Sequence, residues 1–378
     1  LTQKLHILFI CGWFPSKVSP TNGDFIQRHA EAVATKHAVS VIHIISDEKT
    51  NKEYIEINQE NGVNIYIGYV RKTNNPLVKI RRFWKIFHQI LKKLGTFDVV
   101  HLNEIYPFGI FALYLKKKLK KPYIISEHWT GYQLSNSKQI GFFQKIISKK
   151  ITKNANFVCP VSQNLASAMQ QFGLKGNYTI VPNVVNTNLF KPLKIQNTEF
   201  KIIHISSLLD KHKNISGMLR VAKKLENKID NFTWKFAGGT SKEFSSLLNT
   251  LNFTTAKIEF KNHIPQEKLV EELQNSNLFV LFSNFENLPC VILESFACGI
   301  PVISTDVGGI KEFFPNDFGV LIAKENEKAL VEAIVNQYQS FKKNNQQNKN
   351  KMYNYAVKNF SQTAIENQFS KLYLKSLL

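Results

Sequence analysis

Short apolar runs alternate with segments of helical periodicity from one end of the chain to the other. A first set of predicted strands covers 5–10, 39–45, 64–68, 99–102, 123–126, 157–160 and 179–181. A second set covers 201–206, 233–237, 257–260, 278–282, 301–304 and 319–322. Most are rich in Val, Ile and Phe and apolar on both faces, the pattern of strands buried inside a parallel sheet. Helical spacing fills gaps between them, for example at 27–35, 108–118, 214–225, 266–274 and 288–298. This alternation predicts an α/β fold of doubly wound parallel sheets. The pattern restarts near Lys201, after the Pro- and Asn-rich segment 182–198. The expected organisation is therefore two Rossmann-like domains, 1–185 and 186–360. Such a pair places a ligand cleft between the domains, at the carboxyl ends of the strands.

Length agrees with this division, since 378 residues exceed what one core usually supports. A hydrophobic share of 43% and a charged share of 20% describe a soluble globular protein. No apolar run approaches the roughly 20 residues that cross a bilayer. The first run, 5–11, is too short for a signal-peptide core and stops at Gly12-Trp13-Phe14-Pro15. Cys11, Cys159, Cys290 and Cys298 form no C-x-x-C pair and stand beside no metal-spaced histidine. Zinc and a disulfide framework are not expected, and free thiols in the cytoplasm are.

Charge adds an asymmetry. The net charge is +21, and residues 1–185 hold 25 Lys/Arg against 10 Asp/Glu, whereas 186–378 hold 24 against 18. An excess of that size on one half points to an anionic partner: a membrane surface, an acidic polymer or nucleic acid. A general Lys, Asn and Ile bias of the chain gives the plainer account. Segment 77–94 sharpens the question, with Leu77, Ile80, Phe83, Trp84, Phe87, Ile90, Leu91 and Leu94 at helical spacing among Lys and Arg. It reads either as a helix covering a sheet or as one lying on an anionic membrane. No interleaved aromatic and basic platform marks a nucleic-acid binder.

Candidate chemistry concentrates in 283–303. There, Ser283-Asn284-Phe285-Glu286-Asn287-Leu288-Pro289 leads from a strand into a helix whose first turn suits Pro289. The free N–H groups and positive dipole end of that helix make a site for a diphosphate. Glu286 and Glu294 are the only charges between Leu278 and Thr305. A carboxylate in such an apolar stretch is costly to bury without a partner or a task. Gly299 then ends the helix and Pro301 opens the next strand. No P-loop, no G-x-G-x-x-G fingerprint and no D-x-D metal anchor is present.

This stretch resembles the E-x7-E signature of family-4 glycosyltransferases, retaining enzymes of the GT-B fold, with Asn287-Leu288-Pro289 in place of the family's glycine-rich start. The resemblance implies that Glu286 contacts the transferring sugar and Glu294 the ribose hydroxyls. Asn22-Gly23-Asp24-Phe25 resembles the family's N-terminal glycine loop, with Gly23 near the donor phosphate. Glu127-His128-Trp129 resembles the histidine after the mid-domain strand, with His128 near the anomeric carbon. In Ser206-Ser207-Leu208-Leu209-Asp210-Lys211-His212-Lys213, Lys213 stands at the phosphate-binding lysine and Ser207 where arginine is common. His263 and Ile264 are placed near the nucleobase, and the resemblance also implies that a final helix near 361–378 packs back on the first domain.

The catalytic set implied is Glu286, His128 and Lys213. The donor-binding set is Gly23, Ser207, Lys213, His263, Ile264, Glu286, Asn287, Leu288, Pro289 and Glu294. The activity implied is transfer of a hexosyl group, with retention, from a UDP- or GDP-sugar to a glycan or lipid-linked acceptor. Surface polysaccharide or lipopolysaccharide assembly is its context, at the inner face of the cytoplasmic membrane. Neither a cofactor nor a metal is expected. The competing expectations are another GT-B activity, epimerisation or phosphorolysis, and a non-catalytic nucleotide-sugar- or glycan-binding protein.

Overall fold

The computed structural model describes residues 4–133, 140–193, 198–343 and 348–378. The chain divides into two compact units: Leu1–Val184 with Gln362–Leu378, and Val185–Ser361. Within the expected connecting segment 182–198, residues 194–197 lie outside the described residues.

Unit 1 runs β1 (His6–Cys11), α1 (Asp24–Ala34), β2 (Ala38–Asp47), β3 (Tyr54–Glu60), β4 (Val63–Arg71), α2 (Pro76–Leu94), β5 (Val99–Asn103) and α3 (Gly109–Leu119). It continues through β6 (Tyr123–Glu127), α4 (Phe142–Asn154), β7 (Phe157–Pro160) and α5 (Gln163–Gln171). The seven strands lie in the order β3-β4-β2-β1-β5-β6-β7. All neighbours are parallel except β3, which pairs antiparallel with β4 at the edge. β3 departs from the all-parallel expectation. Its sequence Tyr-Ile-Glu-Ile-Asn-Gln-Glu is mostly exposed and lacks the apolar run that marks the buried strands. The predicted strand at 179–181 does not form either. Around it a single bridge joins Tyr178 to Val158.

Unit 2 runs β8 (Phe200–Ile205), α6 (Asp210–Lys213), α7 (Ile215–Leu225), β9 (Phe232–Ala237), α8 (Ser245–Leu251), β10 (Ala256–Lys261), α9 (Gln266–Gln274) and β11 (Leu278–Leu281). α10 (Cys290–Cys298), β12 (Val302–Thr305), β13 (Gly319–Ile322), α11 (Glu327–Lys342) and α12 (Lys349–Phe360) complete it. Its six strands are all parallel, in the order β10-β9-β8-β11-β12-β13. The last helix, α13 (Gln362–Leu377), belongs to unit 1 and packs on α1.

Each unit owns a core. Around β1 gather Ile7, Phe9, Ile26, Val41 and Val99, together with Ile365 and Phe369 of α13. In unit 2, Trp234, Phe236, Met218, Leu219 and Val280 are among the residues shielded from solvent. In both sheets the chain winds first to one side of a central strand and then to the other. The direction of winding reverses between β1 and β5 in unit 1, and between β8 and β11 in unit 2. Loops leaving the carboxyl ends of such strand pairs are where a doubly wound sheet binds ligands.

Candidate functional site

In unit 2 the site begins where β8 ends. Burial pushes the His204 imidazole down to about 3, with the Lys213 cation adding to the effect, so the ring is neutral. Its Nδ1 lies 2.9 Å from the Val280 carbonyl and its Nε2 2.7 Å from Ser206 Oγ. A neutral ring donating to the carbonyl then accepts the serine proton, which ties β8 to β11 at the switch point. Ser206 Oγ also accepts from Leu208 N, whose residue turns through φ +54. Gly238 closes in from β9 at φ +117, and a Cβ there would fall 1.8 Å from the Ser206 carbonyl oxygen.

The short helix α6 follows. Asp210 accepts from both the N–H and the hydroxyl of Ser216 at 2.8 Å. Asn214, at φ 52, ends this turn and caps α7 through Gly217 N. Lys213 is thereby held with Nζ 2.5 Å from Glu286 Oε1, both side chains mostly shielded from water. The two loops are also latched by backbone: Asn284 N donates to the His212 carbonyl at 2.8 Å, and Asn284 Nδ2 to that of Lys211. Behind Glu286 stands the loop after β12. Gly309 N donates to the Asn287 carbonyl, and Gly308, at φ +61, leaves only 2.0 Å between a Cβ and the Glu286 carbonyl oxygen.

Glu286, Asn287 and Leu288 are buried, and Pro289 sits at the N-cap of α10 with φ −68 and ψ 126. The expectation of Pro289 inside the first helical turn shifts by one position. Its ψ is extended, so the helix begins at Cys290. Glu294 is buried within α10. Ser207 is exposed at the β8 edge, and His263 is exposed with Ile264 half-buried in the loop after β10. The carboxyl edge of one sheet thus carries all these side chains. Lys213 and Glu286 are in direct contact, while His263 and Ile264 stand two strands from β8, beyond β9.

In unit 1, Gly23 takes φ 77 at the N-cap of α1, where a Cβ would come within 2.6 Å of the Trp13 backbone. The loop brings Phe25 to His128, with ring centroids 4.7 Å apart, and His29 of α1 lies 5.4 Å from the same ring. Burial holds the His128 imidazole well below its usual range, His29 adds to this, and a hydrogen bond with Asn183 opposes it. His128 is therefore neutral near pH 7. Glu127, fully buried, accepts from the N–H groups of Ile105, His128 and Trp129 at 2.9–3.0 Å, and so holds the loop that carries His128.

Sequence reading passed over Glu104. It follows β5 at φ 72, and its carboxyl lies over Gly12, whose Cβ would fall 1.9 Å from Glu104 Oε2. Burial, with Glu127 adding, pushes its pKa up to about 9. The usable signal was a carboxylate directly after an apolar strand at the point where winding reverses. Among the described residues no group of three His, Cys, Asp or Glu is arranged to hold a metal.

A model of the family described as glycosyl transferases group 1 matches residues 185–358, and one of glycosyltransferase family 4 matches 25–189. The chain is 22% identical over 359 residues to a putative teichuronic acid biosynthesis glycosyltransferase, TuaC of Bacillus subtilis, covering 87% of this chain and 88% of that one. It is 26% identical over 341 residues to the N,N'-diacetylbacillosaminyl-diphospho-undecaprenol alpha-1,3-N-acetylgalactosaminyltransferase of Campylobacter jejuni, covering 81% and 86%. Among solved structures, sucrose-phosphate synthase from Thermosynechococcus elongatus superimposes with a TM-score of 0.78 at 18% identity, covering 98% of both chains. HepE of Anabaena, solved with UDP-glucose, gives 0.73 at 15% identity, covering 97% of this chain and 99% of that one.

Proposed function

The chain belongs to glycosyltransferase family 4, its second unit to the group 1 glycosyl transferases, and is a glycosyltransferase of the GT-B fold; from that premise we propose that it moves a hexosyl group, with retention, from a nucleoside diphosphate sugar to a glycan or lipid-linked glycan. The observation that carries the proposal is the Lys213–Glu286 pair, held at the winding reversal of unit 2 beside the start of α10. A cation and a helix N-terminus on one strand edge suit a leaving diphosphate.

In the proposed reaction the bond from the anomeric carbon to the diphosphate oxygen breaks as the acceptor oxygen bonds to that carbon. The acceptor proton passes to the departing diphosphate. Lys213 and the N–H groups at the start of α10 take up the negative charge that develops, with no metal required. Glu286 orients the sugar, Glu294 receives the ribose hydroxyls, and the backbone at Ile264 meets the base. Neutral His128 exchanges hydrogen bonds with a sugar hydroxyl and carries no charge of its own. A uridine nucleotide is the first donor to test, since HepE was solved with UDP-glucose. Surface-polymer assembly fits the teichuronic acid and undecaprenol-linked relatives. The four free thiols support a reducing, cytoplasmic location.

Nucleotide binding and turnover, both measured in EDTA, test these roles. Glu286→Gln should lower kcat by about 10²-fold or more, the cost of one removed transition-state contact, with UDP affinity within about threefold of wild type. Glu294→Gln should weaken UDP binding by about tenfold, the loss of one hydrogen-bonded partner. Wild-type UDP affinity in Glu294→Gln would remove the ribose assignment, and undiminished kcat in Glu286→Gln would remove the sugar assignment.

A further inference from the structure

We propose that the carboxyl edge of unit 1 seats a neutral acceptor sugar, with the Glu104 carboxyl hydrogen-bonded to its hydroxyls and the rings of Phe108 and Trp13 against its C–H faces. The inference rests on the glycosyl transfer proposed above and names the chemical class of its acceptor.

Glu104 stands where the winding of the first sheet reverses. β5 ends at Asn103, beside β1, and Glu104 follows at φ 72. Its N–H donates to the Ser126 carbonyl of β6 at 3.1 Å, and the N–H of Gly12, which follows β1, donates to the Asn103 carbonyl at 3.1 Å. Three strand ends are stitched together in this way. The Glu104 carboxyl lies over Gly12, in the space that any Cβ would take. The Phe108 ring closes on the same point, with Cδ2 3.2 Å from that Cβ position. A left-handed glutamate stores strain that its surroundings must hold, and it is here that ligands meet a doubly wound sheet.

Two glutamates meet at this edge, and they differ. Glu127 is fully buried and accepts from the N–H groups of Ile105, His128 and Trp129. Glu104 is only half-buried, and among the described residues its carboxyl makes no hydrogen bond and pairs with no cation. Polar atoms taken this far from water are regularly paired, so the Glu104 carboxyl is left for a ligand to satisfy.

The state of the carboxyl selects that ligand. Burial and Glu127 push it up to about 9, so near pH 7 it is a neutral acid with one O–H to donate and an oxygen to accept. The titratable groups that face it are Glu127 at the end of β6 and Tyr132 a few residues further, whose phenol is itself pushed up by burial and by both glutamates. Gly12 from β1 and Phe108 from the start of α3 bring no charge. A phosphate or a uronate would therefore meet two glutamates and no counterion, whereas a pair of sugar hydroxyls matches a group that both donates and accepts. Half-buried rings supply the apolar lining. Trp13 stands edge-on to Phe25 at 6.3 Å, and Phe25 lies 4.7 Å from His128. The run of rings thus ends at the residue proposed to meet the transferring sugar. Because Glu104 keeps its proton, it binds the acceptor and takes no proton from it during transfer.

Saturation-transfer NMR on the full chain tests this, with the methyl glycosides of glucose, N-acetylglucosamine and glucuronic acid as probes, near pH 7 and near pH 10. Both neutral glycosides should bind, and the glucuronide should bind about tenfold more weakly or not at all. Glu104→Ala should weaken binding of the neutral probes by about tenfold or more, the loss of one hydrogen-bonded group. Glu104→Gln, whose amide also donates and accepts, should stay within about threefold of wild type. Near pH 10 the wild type should lose about tenfold, since only about one molecule in ten keeps the proton there, and Glu104→Gln should lose nothing. UDP binding, read by thermal shift, should be equal in all three proteins. Glycoside binding without UDP binding would overturn the donor reading alone. No saturation transfer from either neutral glycoside, equal binding by wild type and Glu104→Ala, an equal loss at high pH in Glu104→Gln, or glucuronide binding as tight as that of the neutral probes would overturn the acceptor site.

Discussion

Glu104 combines a left-handed backbone, φ 72, with a carboxyl pushed up to about 9 by burial and by Glu127. Positive φ outside glycine costs energy that the surroundings must supply, and such residues gather at functional sites. The protonation has a consequence for stability. The unfolded chain releases this proton near the ordinary glutamate range, whereas the folded protein keeps it until about pH 9. Folding stability is thus lost as pH rises through that interval. Glu104→Gln removes the loss: its melting temperature should lie close to wild type near pH 5 and exceed it by about 10 °C or more near pH 9, by thermal melts at both pH values. An equal difference at the two pH values would show that Glu104 is not held protonated. At this scale the sequence was legible where residue type and context coincide, as for Glu286 and Glu294 in an uncharged stretch. It was silent on Glu104, because neither its φ nor its burial is written in its neighbours. His204 was silent likewise, since its role is a cross-strand bond to a carbonyl 76 residues away.

Among elements, α13 shows how far local pattern reaches. Its apolar residues are spaced for a helix, but which unit it covers depends on contacts with residues more than 250 positions distant. His101 Nδ1 meets the Tyr373 hydroxyl at 2.7 Å, Phe369 stands against His101 and His29, and Ser370 reaches His37. Phe369 is fully buried, so Phe369→Ala should cost about 3–5 kcal/mol, read by denaturant unfolding of unit 1. A loss below about 1 kcal/mol would mean that α13 is dispensable to that core. Two strands show the limits of periodicity. β3 lacks an apolar run because one of its sides is open to solvent and its pairing is made by β4 alone. The run at 179–181 has the right residues, but there the chain makes only backbone bonds to Val158 and Pro160 before crossing to the second unit.

For the molecule as a whole, the two cores are assembled from separate residues, and the nucleotide contacts proposed for Lys213, Ile264, Glu294 and the start of α10 fall in unit 2. Hydrogen exchange with and without UDP checks that placement. Exchange should slow by about tenfold at 206–214, 283–290 and 306–309, and stay unchanged in the hairpin of β3 and β4. Protection confined to unit 1 would relocate the donor. The sequence by itself determined the α/β class, the strand-then-helix order and the apolar-flanked glutamates, because each depends on local spacing and on the cost of burying charge. Tertiary structure alone decided that Lys213 meets Glu286 and that Gly308 backs the Glu286 loop. Those facts depend on strand order, which brings residues tens of positions apart into register and which no local pattern encodes.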